Sequence, residues 1–297
     1  MSKRLVACTS TGCIEYAPER YQNLGIDIIR VHLFFKGKEY LEGLDFDPVQ
    51  FYQELETLKD PKNNLPYTAM PTVLELQAFY QSVIDRGYDE VIIASISSGL
   101  GGTYNLIKHV GKDYEDRLKI SVIDSKITCF NEGYLAVKIS EFVKEGMPTE
   151  KILEEVEWIK AHQELIGVDG KLDYLIYNGR LKGGKALIGK MMQICPLIHF
   201  NKDGEIVTLQ TVRTAKKALR AACEKVKELI GDHSPEDYLL WHVYTGRSLV
   251  DQLIEIEKEY DIKCNHEDII MSPVSGCHNG PWLAGYCLVF IHREYDN

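Results

Sequence analysis

The segment VIIASISSGLGGTYN, residues 91–105, decides the fold class of this chain. It begins with the short apolar run of residues 91–95, which is typical of a strand buried in a parallel sheet. Two serines and three glycines follow this run, and from Thr103 onward the pattern predicts a helix. A buried strand that passes through a small-residue loop into a helix is typical of an α/β fold, whose ligands collect at the carboxyl ends of the strands. The loop therefore predicts a binding site.

Strands and helices alternate on both sides of this segment. Strands are predicted at residues 4–10, 25–35, 89–95 and 118–125, and helices at residues 47–58, 72–86, 103–110, 131–146 and 149–164. Asp47 followed by Pro48, and Thr72 followed three residues later by Glu75, mark two of the helix starts. We expect residues 1–160 to form a three-layer α/β/α domain with a mainly parallel sheet, because this order of elements places helices on both faces of such a sheet.

The second half of the chain has a different order of elements. Residues 195–214 predict two strands joined by a turn at Asp203 and Gly204. The remaining predicted elements are a long helix after residue 214, strands at residues 238–244 and 268–275, and a helix at residues 247–260. We expect residues 161–297 to form an α/β domain with a mixed sheet, and no repeat or low-complexity linker marks the boundary.

Composition and charge exclude several classes of function. The chain has 297 residues, a formal net charge of -10 and a pI near 5.4. Sequence-independent binding to nucleic acid is not expected, because clustered Lys and Arg side chains drive it. No apolar run has the length of a signal-peptide core or a membrane span, so we expect a cytoplasmic protein. The cysteines are scattered, which favours buried reduced thiols over disulfides and predicts no metal or other cofactor.

The loop of residues 96–102 has the composition of an anion-binding site. Ser97 and Ser98 supply hydroxyl groups, and Gly102 lets a ligand approach the backbone closely. The helix that starts at Thr103 directs free N–H groups and the positive end of its dipole toward the loop. The glycine spacing fits neither a P-loop nor a dinucleotide-binding loop. A loop whose glycines only serve the strand-to-helix turn explains the same residues equally well.

Two further segments carry polar side chains next to turns. Thr68 lies shortly before a helix start, where its hydroxyl could face the same anion or serve only in a turn. His278 lies in SGCHNGPW, residues 275–282, and is the only histidine in such a glycine-rich loop, where Gly280 helps to enforce the turn. A lone histidine is more often structural than catalytic.

The region of residues 174–202 contains no acidic residue, although the chain is acidic overall. Its cations include Arg180, Lys182, Lys185 and Lys190. This segregation indicates docking to an anion, a phosphorylated partner or a membrane surface. A solvated face explains the composition as well.

The sequence favours binding over catalysis, because no carboxylate pair, metal-ligand cluster or Ser-His-Asp order is evident. The alternative is a serine-dependent hydrolase or acyltransferase in which Ser97 or Ser98 is the nucleophile and His278 the base. No Gly-x-Ser-x-Gly segment supports that alternative. A lipid-sensing transcriptional module ranks last, because no helix-turn-helix or basic reading helix is evident.

Taken in their order along the chain, these motifs resemble those of the DegV family of bacterial fatty-acid-binding proteins. The resemblance covers nearly the whole chain. The matching residues are Ser10; Thr68 and Pro71; Ser97, Ser98, Leu100, Gly102, Thr103 and Tyr104; residues 122–125; Gly179 and Arg180; Pro196, Leu197, Asp203, Gly204 and Arg213; and His278, Gly280 and Pro281. Each motif is weak alone, and their common order and spacing make the match specific.

The resemblance implies a two-domain α/β fold that buries a long-chain fatty acid and holds its carboxylate with the hydroxyls of Thr68 and Ser98. The ligand-binding residues that it implies are Thr68, Ser97, Ser98, Arg180, His278 and Gly280, supported by Ser10, Gly102 and Thr103. Such proteins are not themselves enzymes and present the acid to a separate fatty acid kinase, which makes acyl phosphate for phospholipid synthesis. The expected partners are therefore the fatty acid, the kinase and, transiently, a membrane surface. The contacts expected for the last two are Lys182, Lys185, Lys190 and Arg213.

Five positions depart from the family pattern. Thr9 stands where the family has Asp, Gly101 replaces a Ser, and the remaining departures are Ala69 and Met70 in place of Ser-Gln and Trp282 in place of Gly. Met70 and Trp282 are bulkier or more apolar than the residues they replace. We therefore expect them to reshape the mouth of the pocket.

Overall fold

The computed structural model describes residues 3–41, 43–45, 47–60, 64–262, 264 and 267–292. Its strands are β1 (Arg4–Thr9), β2 (Ile26–Ile29), β3 (His32–Phe35), β4 (Lys38–Leu41), β5 (Tyr67–Ala69), β6 (Glu90–Ser95), β7 (Lys119–Asp124), β8 (Gln163–Asp169), β9 (Cys195–Phe200), β10 (Ile206–Val212), β11 (Tyr238–Tyr244), β12 (Ile269–Ile270) and β13 (Leu283–Phe290). Its α-helices are α1 (Glu19–Gln22), α2 (Pro48–Glu56), α3 (Val73–Asp85), α4 (Thr103–Gly111), α5 (Cys129–Lys144), α6 (Thr149–Ala161), α7 (Asp173–Tyr177), α8 (Ala215–Ile230), α9 (Arg247–Glu257) and α10 (Pro273–Gly276). Described 3₁₀ helices lie at Ser10–Gly12, Ile14–Tyr16, Lys112–Tyr114, Gly184–Gln193 and Lys258–Tyr260.

Four parallel strands form a sheet in the order β2-β1-β6-β7. Successive side chains of a strand point to opposite faces of the sheet. In the two central strands, β1 and β6, the side chains on both faces are buried. Leu5 and Val91 belong to the apolar cluster beneath α3 and α4, whereas Val6 and Ile92 belong to the cluster that contains α5. Helices therefore cover both faces of this sheet, as the alternation of elements predicts.

Six strands form a mixed sheet in the order β10-β9-β8-β13-β11-β12. Only β11 and β12 pair in parallel among its described strands. Helices α8 and α9 cover one face, and α5 packs on the other, where Phe130 meets Trp241 with ring centroids 5.2 Å apart. The fold class is the predicted one, with a parallel sheet and a mixed sheet. The boundary at residues 160 and 161 stays a prediction, because α5 joins both sheets in one continuous apolar cluster.

The segment of residues 25–35, predicted as one strand, is two strands in different sheets. β2 pairs with β1, whereas β3 lies between β4 and β5 in a three-stranded antiparallel sheet that was not predicted. The chain changes sheets at Arg30 and Val31, where the Val31 amide donates to Ser10 Oγ at 3.1 Å. The apolar pattern runs on through this change, so periodicity cannot reveal it.

The segment of residues 268–275, also predicted as one strand, contains only the two residues of β12. Ser272 then caps α10 by accepting a hydrogen bond from the Ser275 amide at 3.3 Å, and Pro273 takes the first helical position. β8 and β13 were not predicted. The helix expected to reach residue 164 ends at Ala161, and β8 begins two residues later.

The predicted helix starts at Asp47 and Thr72 are confirmed. Asp47 Oδ1 accepts from the Gln50 amide at 3.0 Å, and Thr72 forms a complete capping box with Glu75. In the part of the chain that the structure describes, no helix is both long and apolar enough to cross a lipid bilayer.

Candidate functional site

A mostly apolar cavity of about 370 Å³ lies where loops of both halves of the chain meet. Its size falls in the range of about 300–1,000 Å³ that is usual for small-molecule sites. Its lining residues are Thr11, Val31, Thr68, Ala69, Met70, Ile96, Leu100, Gly101, Gly102, Thr103, Thr128, Arg180, Ile206, Val274, Ser275, His278 and Asn279. Met70 is 43% exposed and Gly101 is also exposed, so the cavity reaches the surface close to Thr68.

Thr68 and His278, far apart in sequence, meet in the wall of this cavity. Thr68 is the central residue of β5, and its Oγ1 lies 3.0 Å from His278 Nε2. Burial, with a smaller contribution from the Arg180 cation, lowers the pKa of His278 to about 3. The imidazole is therefore neutral at physiological pH. Its Nδ1 is shielded from solvent and has no hydrogen-bond partner among the described residues.

Arg180 adds a positive charge to the same wall. It follows α7 and Gly179, whose φ of +68° turns the chain. The guanidinium donates one hydrogen bond, from Nη1 to the Asn178 carbonyl at 3.3 Å. Within the described residues, no carboxylate lies within ion-pairing distance of it. A cation without a counter-ion beside two neutral polar groups suits a small anionic group.

Ser97 and Ser98 are not among the residues that line the cavity. Ser97 is fully buried, and its Oγ donates to the Gly204 carbonyl at 2.7 Å and accepts from the Gly99 amide at 3.1 Å. The Ser98 hydroxyl accepts from Lys126 Nζ at 3.1 Å. Ser97 therefore ties the loop after β6 to the turn between β9 and β10, while Leu100, Gly101 and Gly102 of the same loop line the cavity.

The geometry gives no support to the serine-hydrolase alternative. Among the residues that the structure describes, the His278 ring has Thr68 as its one hydrogen-bond partner, and the hydrogen bonds of Ser97 and Ser98 go to other groups. A histidine with a pKa of about 3 is also too weak a base to remove a serine proton at neutral pH.

We expect Ser97→Ala to lower the free energy of unfolding by about 1–3 kcal/mol, because it leaves the buried Gly204 carbonyl without its donor. Denaturant titration measures the change. Ser98→Ala is the matched control, with a smaller expected loss because Ser98 is less buried. Fatty-acid affinity should stay within about twofold in both variants, since neither side chain lines the cavity. A folded Ser97→Ala protein that has lost binding would contradict this structural role.

The other predicted residues shape the cavity wall. Ser10 holds Val31, which lines the cavity. Thr103 is the first residue of α4, is buried and lines the cavity. Gly102 lies so close to Met70 that a Cβ atom there would be 2.8 Å from the sulfur. Gly280 does not line the cavity, and its φ of +72° forms the turn after His278.

Sequence reasoning missed three hydroxyl groups of the lining, those of Thr11, Thr128 and Ser275. Thr128 Oγ1 and Ser275 Oγ are 3.2 Å apart, and Thr11 Oγ1 contacts the carboxyl group of Glu132. Thr11 lies two residues after the end of β1, so its position at the carboxyl end of a central strand is a signal that could have revealed it. Ser275 was missed because its segment was predicted to be a strand, and Glu132 because it lies in a predicted helix, where a glutamate is usually exposed.

Met70 and Trp282, two of the departures from the family pattern, differ in whether they line the cavity. Met70 does lie at the cavity mouth, as expected. Trp282 does not line the cavity, so the expectation for it was wrong. The Trp282 ring lies 3.5 Å from Lys171 Nζ and near the ring of Tyr174. Trp282 lies only two residues after Gly280. The turn at Gly280 nevertheless places the tryptophan outside the cavity lining.

Of the basic residues of the acid-free region whose side chains the structure describes, only Arg180 lines the cavity. Lys182 is exposed and pairs with Glu205 at 2.7 Å. Lys185 and Arg213 are exposed. The side chain of Lys190 lies outside the described residues.

Comparison with known proteins identifies relatives over almost the full length. The DegV family model, described as "Uncharacterised protein, DegV family", matches residues 6–290. A DegV domain-containing protein of Listeria innocua is 30% identical over 286 residues, which cover 96% of this chain and 98% of the relative. The crystal structure of a fatty acid binding DegV family protein from Streptococcus agalactiae has a TM-score of 0.86 at 26% identity, covering 98% and 100% of the two chains. DegV, a fatty acid binding protein from Bacillus subtilis, gives 0.82 at 28% identity, with the same coverage. The chain belongs to the DegV family.

Proposed function

We propose that this protein binds a long-chain fatty acid in the cavity and presents its carboxylate to a separate fatty acid kinase. The observation that carries the proposal is the pairing of a mostly apolar cavity with one unpaired cation, Arg180, beside Thr68 and His278. The two relatives of known structure named above, described as fatty acid binding, support the same class of ligand.

The acyl chain supplies most of the affinity in this proposal. Each buried methylene contributes about 0.8 kcal/mol, so a long chain binds strongly even where the head group gains little. Side chains such as Val31, Ile96 and Val274 offer apolar contact along the cavity. The polar residues then fix the direction in which the chain enters.

The carboxylate is proposed to accept hydrogen bonds from Arg180 and from the Thr68 and His278 pair. A neutral histidine has one N–H group. If Nδ1 carries it, Nε2 accepts from the Thr68 hydroxyl, and the N–H group at Nδ1 is shielded from the cavity. If Nε2 carries it, Nε2 donates to Thr68, whose own hydroxyl is then free to donate to the ligand. The proposal therefore uses the tautomer with the proton on Nε2, in which the Thr68 hydroxyl is the donor of the pair.

Presentation to a kinase requires that the carboxylate can be reached from outside. Thr68 is partly exposed, and the neighbouring Met70 and Gly101 combine exposure with contact to the cavity. This opening supports the second half of the proposal. Lys182, Lys185, Lys190 and Arg213 stay the proposed contacts for the kinase or a membrane surface, with Lys182 partly neutralised by Glu205.

The test of ligand class is gentle purification, organic extraction and mass spectrometry of the extract, followed by titration of the delipidated protein with hexadecanoate. We expect a long-chain acid in the extract and saturable binding in the titration. A ligand-free protein that takes up no added acid would refute the proposal. A panel of ester substrates and a serine-reactive phosphonate test the alternative, for which we expect neither turnover nor labelling.

The test of presentation is a reconstituted assay with ATP, hexadecanoate and a bacterial fatty acid kinase. Acyl phosphate should form when both proteins are present and not when either is left out. Formation by this protein alone would show it to be an enzyme.

A further inference from the structure

Glu132 is a buried acid that the proposed function leaves unused. It lies in α5, is 0% exposed and sits directly behind the cavity wall. Thr11 Oγ1, which belongs to the cavity lining, is 2.9 Å from Glu132 Oε1 and 2.8 Å from Oε2. The Thr9 hydroxyl also donates to Oε1. The carboxyl is therefore in direct contact with a group that a ligand can touch.

In the described part of the chain, the groups that face this carboxyl are all neutral. β1 contributes the Cys8 thiol, at 3.7 Å from Oε1, and the Thr9 hydroxyl, and the 3₁₀ turn that follows contributes Thr11. Burial, and then Glu132 itself, raise the pKa of the Cys8 thiol well above its usual range. Among the described residues of the other elements packed on α5, which include β2, β6, β8, β13 and α6, none brings a charged side chain to this carboxyl. Burial without a cationic partner raises the pKa of Glu132 to about 8.

The two protonation states of Glu132 demand different hydrogen positions on Thr11. An ionised carboxylate only accepts hydrogen bonds, so it draws the Thr11 hydroxyl proton toward itself. The Thr11 oxygen can then only accept a hydrogen bond from a group in the cavity. A protonated carboxyl donates its own hydrogen to a threonine oxygen, and the Thr11 proton becomes free to turn toward the cavity. The Thr9 oxygen accepts from the Ile96 amide at 3.0 Å and lies 2.8 Å from Thr11 Oγ1, so Thr9 competes with the cavity for the Thr11 proton.

We infer that Glu132 is a positioning residue whose protonation state decides whether Thr11 offers the cavity a hydrogen-bond donor or only an acceptor, so that affinity for an anionic ligand depends on pH. This inference rests on the proposed function. It assigns to a residue in the first turn of α5 a role in ligand binding that acts through Thr11.

The sign of the effect follows from charge. Ionising Glu132 withdraws a donor from the cavity and adds a buried negative charge close to a bound carboxylate, so affinity falls as the pH rises through about 8. By linkage, a bound carboxylate favours the protonated form of Glu132. One linked proton gives at most about tenfold per pH unit, so binding at pH 9 should be up to roughly tenfold weaker than at pH 7. His278 stays neutral throughout this window, because its pKa is about 3.

The experiment measures the dissociation constant of hexadecanoate between pH 7 and pH 9 for the wild type and three variants. Glu132→Gln cannot ionise and should bind with nearly constant affinity. Thr11→Val removes the hydroxyl and should bind more weakly at pH 7, with a smaller pH dependence than the wild type. Glu90→Gln is the matched control, since Glu90 is another buried glutamate, at the start of β6 and away from the loop at its end. It should behave like the wild type.

A second readout follows the acid itself. Because burial also raises the pKa of Asp169, the band is read from the difference between the wild type and Glu132→Gln. This difference should contain a protonated-carboxyl band that declines as the pH passes about 8. Equal pH dependence of binding in the wild type and Glu132→Gln would overturn the inference and leave the proposed function standing. Failure of the wild type to bind at any pH would overturn the proposed function and this inference with it.

Discussion

Replacing Arg180 by alanine should weaken hexadecanoate binding by about ten- to hundredfold. A hydrogen bond to a charged group is worth about 1.5–3 kcal/mol, and each 1.4 kcal/mol is a factor of ten in affinity. The fold should survive, because among the described residues the guanidinium makes one hydrogen bond, to the Asn178 carbonyl. Calorimetric titration of the delipidated protein at pH 7 measures the loss, and thermal unfolding checks the fold.

Lys182→Ala is the control for Arg180→Ala. It removes the same charge two residues along the chain, from an exposed side chain that pairs with Glu205 and does not line the cavity. Its affinity should change by less than about threefold, as expected for a screened surface charge. Equal losses of hexadecanoate affinity in the two variants would mean that Arg180 acts only through its contribution to the net charge of the protein. Full binding by Arg180→Ala would remove it from the carboxylate site.

The Arg180→Ala variant also bears on the state of His278. The Arg180 cation is the smaller of two causes that lower the pKa of His278, and burial is the larger. The pKa should therefore rise in the variant while the ring stays neutral at pH 7. A ring that becomes cationic near pH 7 would show that the charge of Arg180, rather than burial, keeps this histidine neutral. Nuclear magnetic resonance of the imidazole reports the change.

Replacing Gly280 by alanine should lower the free energy of unfolding by about 2–5 kcal/mol. Its φ of +72° costs an L-residue about 1–2 kcal/mol, and overpacking typically costs about 1–3 kcal/mol more. The overpacking arises because a Cβ atom at Gly280 would lie 2.6 Å from the ring of Tyr174, which is fully buried. Denaturant unfolding measures the loss. Fatty-acid binding should weaken as well, since the turn at Gly280 fixes His278.

Gly87→Ala separates these two costs. Gly87 has the same φ of +72°, but a Cβ atom there would meet nothing within 4 Å. This variant should lose only the conformational part, about 1–2 kcal/mol. The difference between the two alanine variants then measures the contact with Tyr174. If both variants lose the same stability, the close packing around Gly280 plays no part.

Much of the fold follows from local patterns. β6 is a continuous apolar run because both of its faces are buried, and the starts of α2 and α3 follow from side-chain caps that bond to backbone only three residues away. Local hydrogen bonds and burial periodicity act within a few residues, so the sequence reveals them directly. Where the chain changes its partner in the middle of an apolar run, as it does at Arg30 and Val31, periodicity gives no sign of it.

The site shows the same division. The sequence by itself determined the α/β class, the small-residue loop after β6 that lines the cavity, and the family motifs that include Thr68, Arg180 and His278. Only the tertiary structure decided that Ser97 is tied to Gly204, 107 residues away, and that the hydroxyl of Thr11 is joined to Glu132. The reason is physical. A serine in a glycine-rich loop has the same local pattern whether its hydroxyl faces a ligand or a distant carbonyl, and a glutamate in a helix reveals its burial only when the sheets close around it.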